Sequence, residues 1–510
     1  MRIKSPYYQP CLIMLQLVHN ALAFSQKKSI IEGSGSFTYE ELLAKSEIIA
    51  QHLLQESTDL HQKRVAFMVS PGFDYVAFQW GIWRAGGVAV PLCITYPLPS
   101  LKYVIEDTAA EIVIAGPEYV DILKPLVHAK TFTFYKTSDF SVKKVSESVL
   151  PDISTDRNVM ILYTSGTTSL PKGVVTTHAN LEAQISTLVA AWQWTSADHT
   201  VCVLPLHHVH GIINVVSCSL WSGATVEFLD GFSPEKVFGA FALGKINVFM
   251  AVPTIYFKLI TYWDNLPEIE QQTISANLKK FRLMVSGSAA LPVSVMEKWQ
   301  EISGHTLLER YGMTEIGMGI SNPYDAERKA GYIGKPLPGV SVRLIDENLV
   351  IEGEEIPGEI QIKGANVFKE YWGKAEATEK AFTEDGWFKT GDVAVVENGY
   401  YRILGRDSVD IIKSGGYKIS ALEIEEVLRK HPQLNDCAVV GIPDEEWGEL
   451  VVASVVVRNK ALDLKQLNEW MRGMMPAYKT PRKYLIVEEL PRNAMGKVTK
   501  NDVKELFKNI

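Results

Sequence analysis

The chain has 510 residues, enough for about three domain-sized units. Apolar residues make up 46% and charged residues 22%, a globular composition that excludes intrinsic disorder. A net charge of −8 argues against the basic surface that nucleic acid requires, and no apolar run reaches membrane-spanning length. The five cysteines (Cys11, Cys93, Cys202, Cys218, Cys437) are scattered without a CxxC pair, which fits a reducing compartment and no disulfide framework.

Met1–Ile31 contains Arg2, Lys4, Lys27 and Lys28 and no acid, a bias that suits an organelle presequence. Residues 17–54 already read as folded protein, however, with Phe37-Thr-Tyr-Glu-Glu as a helix start. The remainder is short for a transit peptide. Bacterial cytoplasm is the expected location, with the mitochondrial matrix second.

From Thr38 to Val127, amphipathic stretches alternate with the short apolar runs Val65–Val69, Val88–Leu92 and Ile112–Ala115. Strands alternating with helices indicate parallel βαβ units. The pattern returns at Val201–Leu204, Ala224–Phe228 and Val248–Ala251. From Val340 to Tyr401 it gives way to closely spaced strands with Gly, Pro, Asn and Asp turns, such as Ser341–Ile345 and Glu359–Ile362. This is expected to be a small β subdomain, residues 340–401. Near Gly405 a polar turn begins a compact α+β pattern that ends in the lysine-rich helix Lys500–Lys508.

The stretch Tyr163–Gly173 lies between the apolar strand Val159–Leu162 and Val174-Val175. It carries five Ser/Thr hydroxyls, two glycines, Pro171 and Lys172, and no acid. Backbone N–H and hydroxyl donors with one lysine suit a polyphosphate. It is not a Walker A loop, since Lys172 is flanked by Pro171 and Gly173 rather than followed by Ser or Thr. A polar surface turn is the plain alternative.

This stretch closely resembles the phosphate signature of the adenylate-forming acyl-CoA synthetase superfamily. Ser169 stands where that family usually has glycine. The resemblance runs from about residue 17 to 510, with the motifs in the family order. It implies that Thr164, Ser165, Gly166, Thr167, Thr168 and Lys172 bind ATP. Arg310–Glu315 resembles the adenine and magnesium motif. Tyr311 stacks on the purine there, Gly312 and Met313 line the nucleotide, and Thr314 donates to the α-phosphate. Glu315, with Thr164, supplies oxygen to Mg²⁺. Taken alone, the hexapeptide would read as a capped helix start. Trp387–Asp392 resembles the ribose motif, with Arg406 beside Asp392. Pro491–Val498 matches the catalytic-lysine loop, whose Lys497 neutralises the attacking carboxylate and the α-phosphate.

Leu206–Gly211 contains His207, His208 and His210, but no Cys or acid stands at zinc-ligand spacing. By resemblance His208 walls the acyl pocket off from the phosphates, and His207 and His210 are packing or polar support. Val209, Met313, Ser286, Gly287 and Ser288 should complete that pocket. The surrounding strings are most similar to malonyl-CoA and methylmalonyl-CoA synthetases. A dicarboxylate brings a second buried charge that needs a fixed cation; Arg282 is the expected one, with Arg310 as understudy.

The resemblance thus implies an α/β fold. Residues 1–404 form an N-terminal domain of parallel βαβ sheets plus the β subdomain, 405–410 a hinge, and 411–510 a small mobile α+β domain carrying Lys497. After a rotation about the hinge, with Ser408 or Asp410 as pivot, Gly415, Gly416 and Tyr417 would face the pantetheine arm. The implied reaction is ATP-dependent ligation of a carboxylic acid to CoA, with malonate or methylmalonate as substrate and Mg²⁺ as cofactor. Oligomeric state is left open. A short- or medium-chain monocarboxylate, a stand-alone enzyme loading a carrier-protein thiol, and a luciferase-type oxygenase are the alternatives.

Overall fold

The computed structural model describes residues 15–33, 35–127, 132–140, 149–164, 171–407, 409–458, 462–492 and 497–508. Among these, the strands form sheets of nine, seven, five and five strands. The short apolar runs expected as strands are strands. Arg64–Met68, Val88–Pro91, Ile112–Ala115 and Asn158–Thr164 pair in parallel in the seven-stranded sheet. His199–Cys202, Thr225–Phe228, Val248–Ala251, Leu283–Ser286 and Leu308–Met313 do so in the nine-stranded one. Antiparallel strands close both edges of the nine-stranded sheet and one edge of the seven-stranded one, whose other edge is the parallel strand Thr133–Lys136. Strands such as Val248–Ala251 and Leu283–Ser286 are buried at every position, as strands covered on both faces must be.

The helix Phe73–Arg84 explains how the two large sheets are joined. Every residue in it except Asp74 is buried. A helix apolar all round belongs between layers. It shares one core with Val226, Val248 and Leu283 of the nine-stranded sheet and with Val65, Phe67 and Ala89 of the seven-stranded one. Gly81 lets the helix Tyr39–Leu54 approach closely, since a Cβ there would lie 2.5 Å from Ile49 Cγ2. The latter helix starts where expected: Thr38 and Glu41 form a reciprocal capping box, with bonds of 3.2 and 2.7 Å.

Residues 340–406 form the antiparallel five-stranded sheet, extending slightly past the expected end. The last sheet is built from Ile411–Ser414, Tyr417–Ser420, Leu434–Asp444, Gly448–Val457 and Lys483–Val487. It has its own cores, one around Ile424, Val439 and Leu467 and one around Val440, Val503 and Phe507. The parallel strands place their C-terminal ends together, the edge at which open α/β sheets hold ligands.

Candidate active site

Of the phosphate loop, Ser165, Gly166, Thr167, Thr168 and Ser169 lie outside the described residues, as does Ser408 of the hinge. The loop's two ends are held by one helix, Leu98–Asp107. Tyr163 donates to Asp107 Oδ2 at 2.6 Å, and Tyr103 donates to the Pro171 carbonyl at 2.9 Å. Thr164 and Lys172 then face each other across an antiparallel pair. The Lys172 ammonium stands 4.8 Å over the ring of Tyr371. Tyr371 in turn donates to Glu315 Oε1 at 3.0 Å. Tyr371 belongs to no sequence motif, yet it orients both the lysine and the carboxylate.

Glu315 is 6% exposed, and burial raises its carboxyl above the usual range while Tyr371 opposes that shift. One buried carboxylate suits Mg²⁺, which takes few protein ligands and shares the phosphate oxygens of its nucleotide. No cluster of three or more His, Cys, Asp or Glu side chains among the described residues could hold a metal, at the histidine run or elsewhere.

On the ribose side, Asp392 pairs across the strands with Arg406. Its Oδ1 accepts from Arg406 Nε at 3.0 Å and its Oδ2 from the Tyr311 hydroxyl at 2.6 Å. Each oxygen keeps a lone pair for a further hydroxyl donor, as the expected ribose contact requires. Gly312 is required by the hairpin itself, because a Cβ there would lie 2.0 Å from the Gly317 carbonyl oxygen. Thr314 sits half-buried in the turn that follows Met313.

The acyl pocket corrects one expectation. Arg282 precedes the strand Leu283–Ser286 and so lies at its N-terminal end, about 13 Å from Ser286 at the rise of a β-strand. Its guanidinium is committed there, at 2.6 Å to each oxygen of Asp198 and 3.0 Å to the Trp192 carbonyl. It is a structural ion pair, not a substrate ligand. Arg310, the second candidate, lies beside the expected pocket residues Gly287 and Ser288. It is 3% exposed, and its guanidinium fills the space left by the missing side chain of Gly287, where a Cβ would lie 2.6 Å away. Arg310 Nη2 donates to Ser288 Oγ at 3.3 Å, and Ser288 Oγ lies 3.1 Å from His210 Nδ1. Ser288 adopts a left-handed φ of 70°, which aims its hydroxyl between them. With the Ser288 oxygen accepting from Arg310, its proton can go to His210 Nδ1, leaving the imidazole proton on Nε2.

Arg310 Nε, His210 Nε2, His208 Nε2 and Ser286 Oγ are all buried without a hydrogen-bond partner among the described residues. Buried polar atoms are almost always satisfied, so this group marks a polar ligand's place. Burial lowers Arg310 to about 9 despite Glu309. His208 falls to about 3 through burial, with His207 and Lys497 adding, so its imidazole is neutral. Val209 is buried beside it. His210 follows directly and opens a π-helical stretch, His210–Ser217, a distortion frequent at functional sites. The sequence alone leaves His210 as packing or polar support.

Lys497 completes the site from the C-terminal sheet's side. The residue as a whole is exposed, while its ammonium is desolvated and stands near Arg406 and Arg310. Together these lower it to about 8, with Asp392 opposing. Gly415, Gly416 and Tyr417 lie elsewhere in this conformation. Tyr417 is exposed and stacks on Tyr478 at 4.6 Å, and the neighbouring Lys418 is paired to Asp346 of the β subdomain at 2.8 Å.

The chain belongs to the AMP-binding enzyme family: the family model matches residues 17–372, and the AMP-binding enzyme C-terminal domain matches 423–497. It is an adenylate-forming enzyme of the acyl-CoA synthetase superfamily. It is 45% identical to a mitochondrial malonate–CoA ligase of Bos taurus over 96% of this chain and 89% of that one. The crystal structure of ATP-bound MatB from Rhodopseudomonas palustris superposes with a TM-score of 0.88, at 33% identity, covering 97% of this chain and 99% of that one. The apo form of MatB, with the same identity and coverage, superposes with a TM-score of 0.80.

Proposed function

We propose that this chain is an ATP-dependent malonate–CoA ligase. The observation that carries the reading is the buried Arg310, a cation with no ion pair within 4.0 Å among the described residues, in a pocket that also offers His210 Nε2 and Ser286 Oγ. A buried unpaired charge is costly unless a ligand neutralises it. The distal carboxylate of malonate supplies that charge, leaving the other carboxylate to face the nucleotide across His208. Similarity to the bovine ligase supports the same substrate.

Adenylation brings a carboxylate oxygen to the α-phosphorus and expels pyrophosphate, so two anions must be held in line. Lys172 takes the phosphates, Asp392 the ribose and Lys497 the charge between the two reactants. Bound Mg²⁺ at Glu315 would neutralise further phosphate charge. In the second step the CoA thiol attacks the acyl carbonyl and AMP leaves. On this reading Lys497 must leave the approach, so residues 411–510 turn about 405–410 and bring Gly415–Tyr417 to the site. The ATP-like arrangement of the present structure agrees with the better superposition on ATP-bound MatB. The bovine relative is mitochondrial by name, which supports the matrix over the cytoplasm; no helix among the described residues is long and apolar enough to cross a membrane.

The deciding experiment is CoA-dependent AMP release with malonate, methylmalonate, acetate and octanoate side by side. Preference for the two dicarboxylates is expected. Preference for acetate or octanoate would remove the role given to Arg310. AMP release that ignores CoA would favour the carrier-loading or oxygenase alternatives.

A further inference from the structure

Buried charges that adenylation chemistry does not use join the catalytic arm to the hinge. Asp410 spends its two oxygens on opposite sides of the turn. Its Oδ2 accepts from the backbone N–H of Arg406 at 3.1 Å, where the strand Tyr400–Arg406 ends. Its Oδ1 pairs with Lys500 Nζ at 3.4 Å. Gly405 sits against the same side chain, a Cβ there lying 2.3 Å from Asp410 Cβ. Lys500 also binds the carboxylate of Glu425 and donates to the Val439 carbonyl at 2.7 Å, so each ammonium proton has an acceptor.

The chain of charges continues to the start of the helix Val293–Ser303. Glu425 accepts from the Val439 N–H at 2.8 Å and pairs with Arg429 at 3.2 Å. Arg429 holds Glu426 at 2.9 Å, and Glu426 accepts from the backbone N–H of Val293 at 3.4 Å. The side chain of Lys500 is 11% exposed and that of Glu425 is 3% exposed. Ionic groups this buried add little net stability, and their best-attested use is to fix one arrangement over another.

We infer that Lys500 is a positioning residue for adenylation. It holds Asp410 against the Arg406 N–H and so pins the hinge in the orientation that sets Lys497, three residues earlier, among Arg310, Arg406 and His208. The inference rests on the two-conformation reading above. Turning residues 411–510 changes the backbone between Arg406 and Asp410 and breaks the Oδ2 contact. The Lys500–Oδ1 contact, made from the far side of the pivot, travels with the moving part. The pin therefore belongs to the adenylate-forming state alone and shifts the equilibrium toward it.

The test uses full-length Lys500→Met. Pyrophosphate release with malonate and no CoA reads the first step. CoA added to enzyme already loaded with adenylate reads the second. The first step is expected to fall by about tenfold or more, the order of one charge-assisted hydrogen bond present in only one of two states. The second step should keep or gain rate, and Lys500→Arg should restore the wild-type ratio. Equal loss in both steps, or an unchanged ratio, overturns the inference. If Lys500→Met does not fold, Asp410→Asn, which keeps an acceptor for Arg406 but loses the charge that Lys500 orients, decides by the same ratio. A wild-type enzyme that adenylates another acid but not malonate refutes the substrate proposal alone, and the ratio is then read with that acid.

Discussion

Arg282 and Asp198 form a bidentate ion pair, with the Asp198 side chain only 1% exposed, beneath the sheet whose opposite edge carries the active site. Removing the arginine leaves a buried carboxylate unpaired. Arg282→Ala is expected to cost about 3–5 kcal/mol of stability. In the fraction that remains folded, KM for malonate should be unchanged. Urea unfolding and steady-state kinetics on the same preparation separate the two.

Arg310 carries the opposite expectation. Arg310→Met keeps much of the volume and removes the charge that the distal carboxylate needs. Binding of malonate should weaken by about 2–5 kcal/mol, as when one partner of a buried charged pair is truncated. Acetate, which has no second carboxylate, should be affected far less. Equal losses for both acids would make Arg310 structural.

Adenylation should also be lost at high pH. Burial of its ammonium, with Arg406 and Arg310 nearby, lowers Lys497 to about 8, so its charge is present below that pH and absent above it. In assays without CoA, kcat/KM for pyrophosphate release should fall about tenfold per pH unit beyond this point. Lys497→Ala should remove that limb together with about 10²–10³ of the rate. Thioester formation from preloaded adenylate should show neither effect.

Stability has its own pH dependence through Glu309. Burial pushes this carboxyl up to about 8, against the pull of the Leu291 N–H, with Glu426 adding to the rise. Its folded value lies above the unfolded one, so the folded state holds a proton that the unfolded state gives up. The associated stability is full below about 4.5 and is lost as pH climbs toward 8. Glu309→Gln keeps an acceptor for Leu291 and should flatten Tm between pH 5 and about 8. A mutant whose Tm falls as steeply as that of the wild type would contradict the shift.

Much of this site could be read from the chain because its motifs are contiguous. The phosphate stretch, Arg310–Glu315 and the loop before Val498 each place several functional groups within a few residues. The pocket cation could not be read in the same way. Arg282 precedes one short apolar strand and Arg310 lies within another, and only the sheet shows that the first sits at an N-terminal edge and the second against Gly287, just past the C-terminal end of Leu283–Ser286. Tyr371 was missed because its partners, Lys172 and Glu315, are far away in sequence. His210 was visible, but its role depends on Ser288, and that hydroxyl is aimed by a left-handed backbone that no local signal announced. The β subdomain was legible from its closely spaced turns, and the C-terminal unit only as a compact α+β pattern beginning at the polar turn near Gly405.

The gap at Gly287 puts control of substrate choice in a residue that has no chemistry of its own. A single methyl there would collide with the guanidinium and displace the positive charge from the cavity floor. Laboratory evolution toward uncharged acids therefore has a one-step route: Gly287 acts as a size gate on the enzyme's own arginine, and closing it changes the polarity of the pocket without touching a nucleotide contact.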